Sequence, residues 1–276
     1  MILLNNRLVE RSEAKIDIED RGYQFGDGVY EVIRVYNGKS FLLDRHLVRL
    51  NRSASAIDLP LPWTNDEIST QLERLAAENK LQNGIIYMQV TRGAAPRNHP
   101  YPQGAEPVMV AYTRESERPL DAIRNGIKTI FVEDIRWLRC DIKSLNLLGN
   151  VMAKQQAIEA GAQEAILHRG ETITEGSASN VMMVKNGTLY THPANNLILN
   201  GITRVYLIEQ AKVLGIPVEE KTFTKNDLLE ADEVMMTSTT LEATPVIKVD
   251  GHAIKGGIIG PVAKQLQACF DKVAEE

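Results

Sequence analysis

Phe131-Val132-Glu133-Asp134-Ile135-Arg136-Trp137-Leu138-Arg139-Cys140-Asp141-Ile142-Lys143-Ser144-Leu145-Asn146 opens on the end of a predicted strand, 127–132, and runs into an apolar helix predicted near 146–160. One lysine, Lys143, stands between the two. A lone lysine is ordinarily a solvated charge, and it becomes nucleophilic only where burial or neighbours lower its pKa, which spacing cannot show. Beyond it the chain alternates predicted strands (165–167, 181–184, 234–237, 246–249) with helices near 203–214 and 260–275. Asn186-Gly187 and Asp250-Gly251 are two-residue hairpin signals, so most of this sheet is expected to be antiparallel.

Toward the N-terminus the same reading gives strands and hairpins interrupted by two amphipathic helices. A strand over 30–36, the turn Asn37-Gly38 and a strand over 40–43 form a hairpin. Asp44 is read as the N-cap of a helix over about 45–57, with Leu47, Leu50, Ala54 and Ile57 at helical spacing and Pro60 and Pro62 as its stop. Thr64-Asn65-Asp66-Glu67 has the form of a capping box, with Ile68, Leu72, Leu75 and Ala76 on one face behind it. Strands over 85–91 and 108–113 follow. Glu115-Ser116-Glu117-Arg118-Pro119 is polar and ends in proline, the best linker in the chain, which divides it into domains 1–118 and 119–276.

The chain has 276 residues, 43% of them hydrophobic, enough for two modest cores. Its 31 basic and 36 acidic residues give a net charge of -5 without blocks of one sign, which argues against nucleic acid or an anionic membrane as partner. No apolar signal core or spanning run is visible near Met1-Ile2-Leu3-Leu4-Asn5, so a soluble, cytoplasmic protein is expected. Cys140 and Cys269 lie far apart, and no cysteine or histidine has metal-ligand spacing; reduced thiols and no metal are expected. No Gly-x-Gly-x-x-Gly follows a strand, and Gly256-Gly257 with Gly260 lacks the lysine and hydroxyl of a P-loop.

Three stretches taken together carry a resemblance. Arg21-Gly22-Tyr23-Gln24-Phe25-Gly26-Asp27-Gly28-Val29-Tyr30-Glu31, the stretch 131–146 quoted above, and Thr174-Glu175-Gly176-Ser177 through Asn180 resemble the fold-type IV aminotransferases that use pyridoxal 5′-phosphate (PLP), and within them the D-amino acid aminotransferases of bacteria. The resemblance runs through Thr237-Ser238-Thr239-Thr240. It implies an α/β (α+β) protein with a small N-terminal α/β domain, a larger C-terminal barrel-like α/β domain, a cofactor in the cleft between them, and a homodimer.

By the same resemblance Lys143 joins the cofactor as a Schiff base and, once released, moves the proton at the substrate Cα. Glu175 keeps the pyridine nitrogen protonated, beside the small residues Gly176, Ser177, Ala178 and Ser179, with Ser179 assigned to the cofactor. Ala178 stands where relatives often carry serine. The phosphate falls to the backbone at Ile202 and Thr203, where Gly201-Ile202-Thr203-Arg204 opens a helix, to Ser238 and Thr239, and to Arg49. Any helix start looks like the first of these, and an exposed helix position is the usual fate of an arginine. Tyr30, Arg97 and His99 are implied to hold the substrate α-carboxylate, the loop pair reaching in from the neighbouring subunit. Arg97 and His99, two apart in an extended loop, send both side chains to one side, though a proline-flanked polar loop is also what an inert turn looks like. With the carboxylate fixed and only one face of the substrate open to Lys143, the hand of the product is fixed as D.

The function expected is transamination between D-amino acids (D-alanine, D-glutamate) and 2-oxo acids (2-oxoglutarate, pyruvate). An L-branched-chain aminotransferase and an aminodeoxychorismate lyase are the alternatives on this fold; an (R)-selective amine transaminase or a non-catalytic PLP carrier would not need the Arg97 and His99 pair. Trp137, Tyr23 and Phe25 are read as packing residues, and His46 is given no site role, although it lies on the same helix as Arg49 and could line the cleft.

Overall fold

Asn37 and Gly38 both take positive φ (48° and 78°), which closes a two-residue turn whose twist matches its strands. The turn joins β3 (Gly28–Tyr36) to β4 (Lys39–Ser40). The second strand is shorter than the 40–43 expected, because Leu42 turns to φ 55° and starts α2 (Leu43–Ser55) at once. Asp44 is therefore not the N-cap: Leu42 holds that position without a side-chain bond, and Asp44 lies in the first turn. The helix also ends before the prolines. Its C-cap is Ala56, and Asp58 takes positive φ before Pro60 is reached.

The computed structural model describes residues 1–275, which form two compact units, 1–117 with 142–146 and 118–141 with 147–275. In the first unit, β1 (Ile2–Leu4) and β2 (Arg7–Val9) precede a short α1 (Arg21–Phe25), and β5 (Gly84–Thr91) and β6 (Val108–Glu115) follow α3 (Asn65–Glu78). The sheet order is β2-β1-β6-β5-β3-β4, antiparallel throughout. α2 and α3 cover one face, where Val29, Ile33, Val35, Leu47, Leu50, Ile68, Leu72, Leu75, Ile86 and Met88 make the core. Thr64 caps α3 reciprocally with Glu67, as its spacing predicts.

In the second unit α4 (Leu120–Asn125) leads into β7 (Ile127–Glu133), and α5 (Leu148–Glu159) into β8 (Glu164–Arg169), β9 (Thr172–Gly176), β10 (Asn180–Lys185) and β11 (Thr188–Thr191). α6 (Ile202–Val213), β12 (Val218–Glu220), α7 (Lys225–Leu229), β13 (Glu233–Ser238), β14 (Glu242–Val249), β15 (His252–Ala253) and α8 (Pro261–Glu275) complete it. The sheet runs β12-β11-β10-β13-β14-β7-β8-β9, with β15 on β14. Asn186-Gly187 and Asp250-Gly251 close its hairpins; β11 with β12, β14 with β7 and β7 with β8 are parallel.

Two boundary details follow from contacts. Arg118 belongs to the second unit because its guanidinium grips Glu242 through two bonds of 2.8 and 2.7 Å. Residues 142–146 belong to the first because they pair with the start of β3: Tyr30 N donates to Lys143 O (3.0 Å) and Leu145 N to Gly28 O (3.0 Å). That pairing also explains why α5 begins at Leu148 and not at Asn146. Short α1, α4 and α7 are too brief to leave a periodic signal and were not expected. Among the described residues no helix is long and apolar enough to cross a membrane.

Candidate active site

β3 alternates faces, and on its core-facing side Val29, Ile33 and Val35 are apolar while Glu31 is not. That carboxylate is fully buried and organises the side chains that α2 presents. Arg49 donates to it through Nε (2.7 Å) and Nη2 (2.7 Å), and His46 Nδ1 lies 2.7 Å from Oε2. Burial opposes ionisation of Glu31, but the charge of Arg49 and the hydrogen bonds from Arg49 and His46 outweigh it and hold the carboxyl down at about 2. His46 is itself held below its ordinary value, first by burial, against the pull of Glu31. Arg49, expected as a phosphate ligand, is thus a buried residue engaged bidentately by Glu31 and not an exposed helix position.

One turn beyond Arg49, Ser53 Oγ accepts from Lys143 N (3.2 Å). With its backbone bonded on both sides, Lys143 is half-buried and its Nζ lies 4.2 Å from the centroid of the Tyr30 ring. The first unit therefore brings together Lys143, Tyr30 and Arg49, and adds Glu31, His46 and Ser53. Glu31 was legible as a charge on an otherwise apolar strand face; Ser53 left no signal.

Arg97 and His99 are exposed and flank Phe25, with Arg97 Cζ 4.8 Å from that ring's centroid and the His99 ring 5.6 Å from it. Their loop is tied to buried Arg21, which donates to Asn98 O (2.6 Å) and His99 O (3.3 Å) while paired with Asp27. Phe25 is a half-buried platform between two arginines, whereas Tyr23 is 81% and Trp137 44% exposed. The packing role expected for those two is not what the fold gives them, since neither side chain enters a core.

In the second unit Glu175, at the end of β9, is buried and receives three donors. Arg136 Nη1 reaches Oε1 (2.6 Å), while Asn180 Nδ2 (3.0 Å) and Leu199 N (2.9 Å) reach Oε2. Arg136 is aimed by Asp134, which is also held by Arg169 and Thr174. Burial pushes Glu175 up to about 7 in spite of Arg136. Asn180 also donates to Leu199 O, two residues before the N-cap of α6, and a Cβ on Gly201 would collide with the Asn180 side chain. Glycine is needed there for that approach. No side chain caps α6, so its first N–H groups, Ile202 and Thr203 among them, and its dipole are available to an anion.

Ser179 Oγ and Thr237 Oγ1 are buried without hydrogen-bond partners, and Ser179 directly precedes Asn180, the residue that pairs with Thr237 between β10 and β13. Ser238 Oγ instead accepts from Leu241 N in its own turn, and Thr239 is half-buried beside it. Arg136, Asn180 and Thr237 were not singled out from the sequence; the first two declare themselves only through their bonds to Glu175. Among the described residues no group of three or more His, Cys, Asp or Glu side chains is placed to hold a metal, and both cysteines are free and buried.

Residues 28–249 match the family profile described as amino-transferase class IV. The chain belongs to that family. Among its relatives, the D-alanine aminotransferase of Listeria monocytogenes serotype 1/2a (strain 10403S) is 54% identical over 272 residues, covering 98% of this chain and 94% of the relative. The D-alanine aminotransferase of Staphylococcus aureus (strain MSSA476) is 52% identical over 275 residues, covering 99% and 98%. Of solved class IV structures, the Escherichia coli branched-chain amino acid aminotransferase superimposes with a TM-score of 0.94 at 29% identity, covering 99% of this chain and 93% of that one.

Class IV aminotransferases act through PLP, and the residues present fit it. A buried carboxylate fixed on both oxygens suits a pyridine nitrogen, an uncapped helix start suits a phosphate, and two orphaned buried hydroxyls supply further donors.

Proposed function

We propose that this class IV aminotransferase transfers the amino group between D-amino acids, D-alanine and D-glutamate, and the 2-oxo acids pyruvate and 2-oxoglutarate. The observation that carries the chemistry is Lys143, an amine held over the Tyr30 ring on a backbone locked to β3 and α2. What supports D-amino acids is the full-length similarity, above 50%, to enzymes named for D-alanine, and an Arg97–His99 loop tethered by Arg21.

When bound, PLP supplies an electron-withdrawing ring conjugated to the substrate Cα, which makes the Cα proton removable. Lys143 holds the cofactor and then takes the Cα proton and returns it as general acid and base. Glu175 would accept the pyridine N–H, and the charge on that nitrogen favours the ionised form of a carboxyl that burial, partly offset by Arg136 and Leu199, raises to about 7. Ile202, Thr203, Ser238 and Thr239 donate to the phosphate, and Ser179 adds a hydroxyl. Arg49 donates alongside them with its charge balanced by Glu31. Tyr30, Arg97 and His99 orient the substrate α-carboxylate. A cytoplasmic homodimer in which the exposed loop serves the neighbouring protomer completes the reading, and light scattering on the purified protein tests the dimer.

The deciding experiment is the single half-reaction of the holoenzyme with D-alanine, D-glutamate, L-leucine and L-valine in parallel, for the native protein and Lys143→Ala. Reaction with the D-amino acids, and loss of both turnover and borohydride-fixable cofactor in Lys143→Ala, is the result expected. Preference for the L-amino acids would replace this reading with the branched-chain one.

A further inference from the structure

The stretch 21–31 supplies Tyr30 and Glu31 to the site, and its earlier residues build a second buried ion-pair cluster that the proton transfer does not use. Asp27 is the counter-ion of two buried arginines: Arg21 Nε donates to Oδ2 (2.7 Å), and Arg92 Nε donates to Oδ2 (2.9 Å) and Oδ1 (3.1 Å). Pairing through Nε leaves the terminal nitrogens of both guanidinium groups for other acceptors, and both sets reach loop carbonyls. Arg92 donates to Ile57 O (2.7 Å) and Asp58 O (2.9 Å), and Arg21 to Asn98 O (2.6 Å) and His99 O (3.3 Å).

Residues 92–107 join β5 to β6 without a helix or strand of their own, and a connection of this length is ordinarily either functional or disordered. Its root is fixed: Arg21 N donates to Gly93 O (2.9 Å), Ala95 N donates to Glu19 O (3.3 Å), and a Cβ on Gly93, at φ 92°, would collide with Glu106 O. Farther out, no backbone–backbone hydrogen bond holds residues 96–103 among the described residues. What holds them is the arginine pair. Arg21 grips the carbonyls of Asn98 and His99, Arg92 Cζ lies 3.7 Å from the Tyr101 ring centroid, and the Phe25 ring has Arg21 Cζ at 4.7 Å and Arg97 Cζ at 4.8 Å. Asp27 aims both arginines with one carboxylate. A loop fixed before binding removes its ordering cost from the binding step.

We propose that Arg21 and Asp27 are positioning residues for the substrate: Arg21, aimed by Asp27, holds the backbone at 98–99 so that Arg97 and His99 stand ready to receive the α-carboxylate. The pair therefore sets KM, and not the rate at which Lys143 moves the proton. The proposal rests on the reading of Arg97 and His99 as carboxylate ligands given above.

The test compares native, Arg21→Met, Arg21→Lys, Asp27→Asn, Arg97→Ala and Arg21→Met/Arg97→Ala holoenzymes. Each is measured for kcat and KM with D-alanine and for binding of propionate, a carboxylate without the amino group, by its effect on the cofactor absorbance. Hydrogen bonds from a charged donor correspond to roughly 10- to 100-fold. In Arg21→Met, KM and the propionate Kd are expected to rise by that factor with kcat within about twofold of native. Asp27→Asn should move both in the same direction, and Arg21→Lys, which can still reach one carbonyl, should recover part of the loss. Because Arg21 acts through the loop, adding Arg21→Met to Arg97→Ala should cost far less than Arg21→Met alone. Arg21→Met leaves Asp27 paired with Arg92; if it does not fold, Arg21→Lys decides by the same KM and Kd. An unchanged KM in Arg21→Met, a loss carried by kcat, or full additivity in the double variant overturns the proposal. An unchanged KM in Arg97→Ala would sink the carboxylate reading itself, and a rise in Arg21→Met alone would then place the action of Arg21 elsewhere and overturn the proposal with it.

Discussion

Replacing Glu31 by Gln keeps its shape and removes its charge, leaving Arg49 buried with its counter-ion gone and His46 with a weaker acceptor. Two routes give the cost. Depressing a carboxyl from 4.5 to about 2 corresponds to about 3 kcal/mol of stability at pH 7. Breaking a buried pair by removing one partner costs about 3–5 kcal/mol, so the two agree. The sign in pH follows from the depression: the contribution is complete above about pH 4.5 and is lost as pH falls toward about 2. The assay is urea unfolding of the cofactor-free protein followed by Trp63 fluorescence. Trp63 packs on the core of the first unit, and exposed Trp137 is replaced by Phe in both proteins so that only that unit is seen. Glu31→Gln should be about 3–5 kcal/mol less stable at pH 7, and the gap should narrow as the pH is lowered through about 4. A gap under about 1 kcal/mol at pH 7, or one that widens on acidification, would refute the reasoning, because the carboxylate would then not be held by Arg49 as its geometry requires.

Glu175 behaves in the opposite sense. Burial raises it to about 7, so in cofactor-free protein its contribution is complete below about pH 4.5 and lost as pH rises through 7. Glu175→Gln should therefore gain in Tm relative to the native protein between about pH 5 and pH 8, and should slow the half-reaction while retaining cofactor; a relative loss across that window contradicts the assignment. Arg97→Ala should raise KM for D-alanine roughly 10- to 100-fold with the cofactor spectrum intact, and an unchanged KM would move the carboxylate site elsewhere. Thr64→Ala, which removes a reciprocal cap from α3, should cost about 1 kcal/mol, read by the same Trp63 unfolding curve. No loss there would mean that packing of Ile68, Leu72 and Leu75 alone holds the helix end.

The amino-acid sequence by itself determined what is local or periodic. Asn37-Gly38, Asn186-Gly187 and Asp250-Gly251 closed hairpins because those residue pairs tolerate positive φ, and Thr64 with Glu67 capped a helix because three residues separate them. It also determined the family, since Lys143 and Glu175 stand in long matched stretches. Only the tertiary structure decided the rest, because burial and partnership depend on chain segments far apart in sequence. The lone lysine became a held amine when 142–146 paired with β3, more than a hundred residues upstream. Arg49 passed from a helix-surface residue to half of a buried ion pair because Glu31 lies beneath it. Glu175 acquired its raised pKa from burial, which outweighs the lowering by Arg136 and Leu199. Arg34, an ordinary strand arginine in sequence, became the one buried guanidinium without a carboxylate among the described residues.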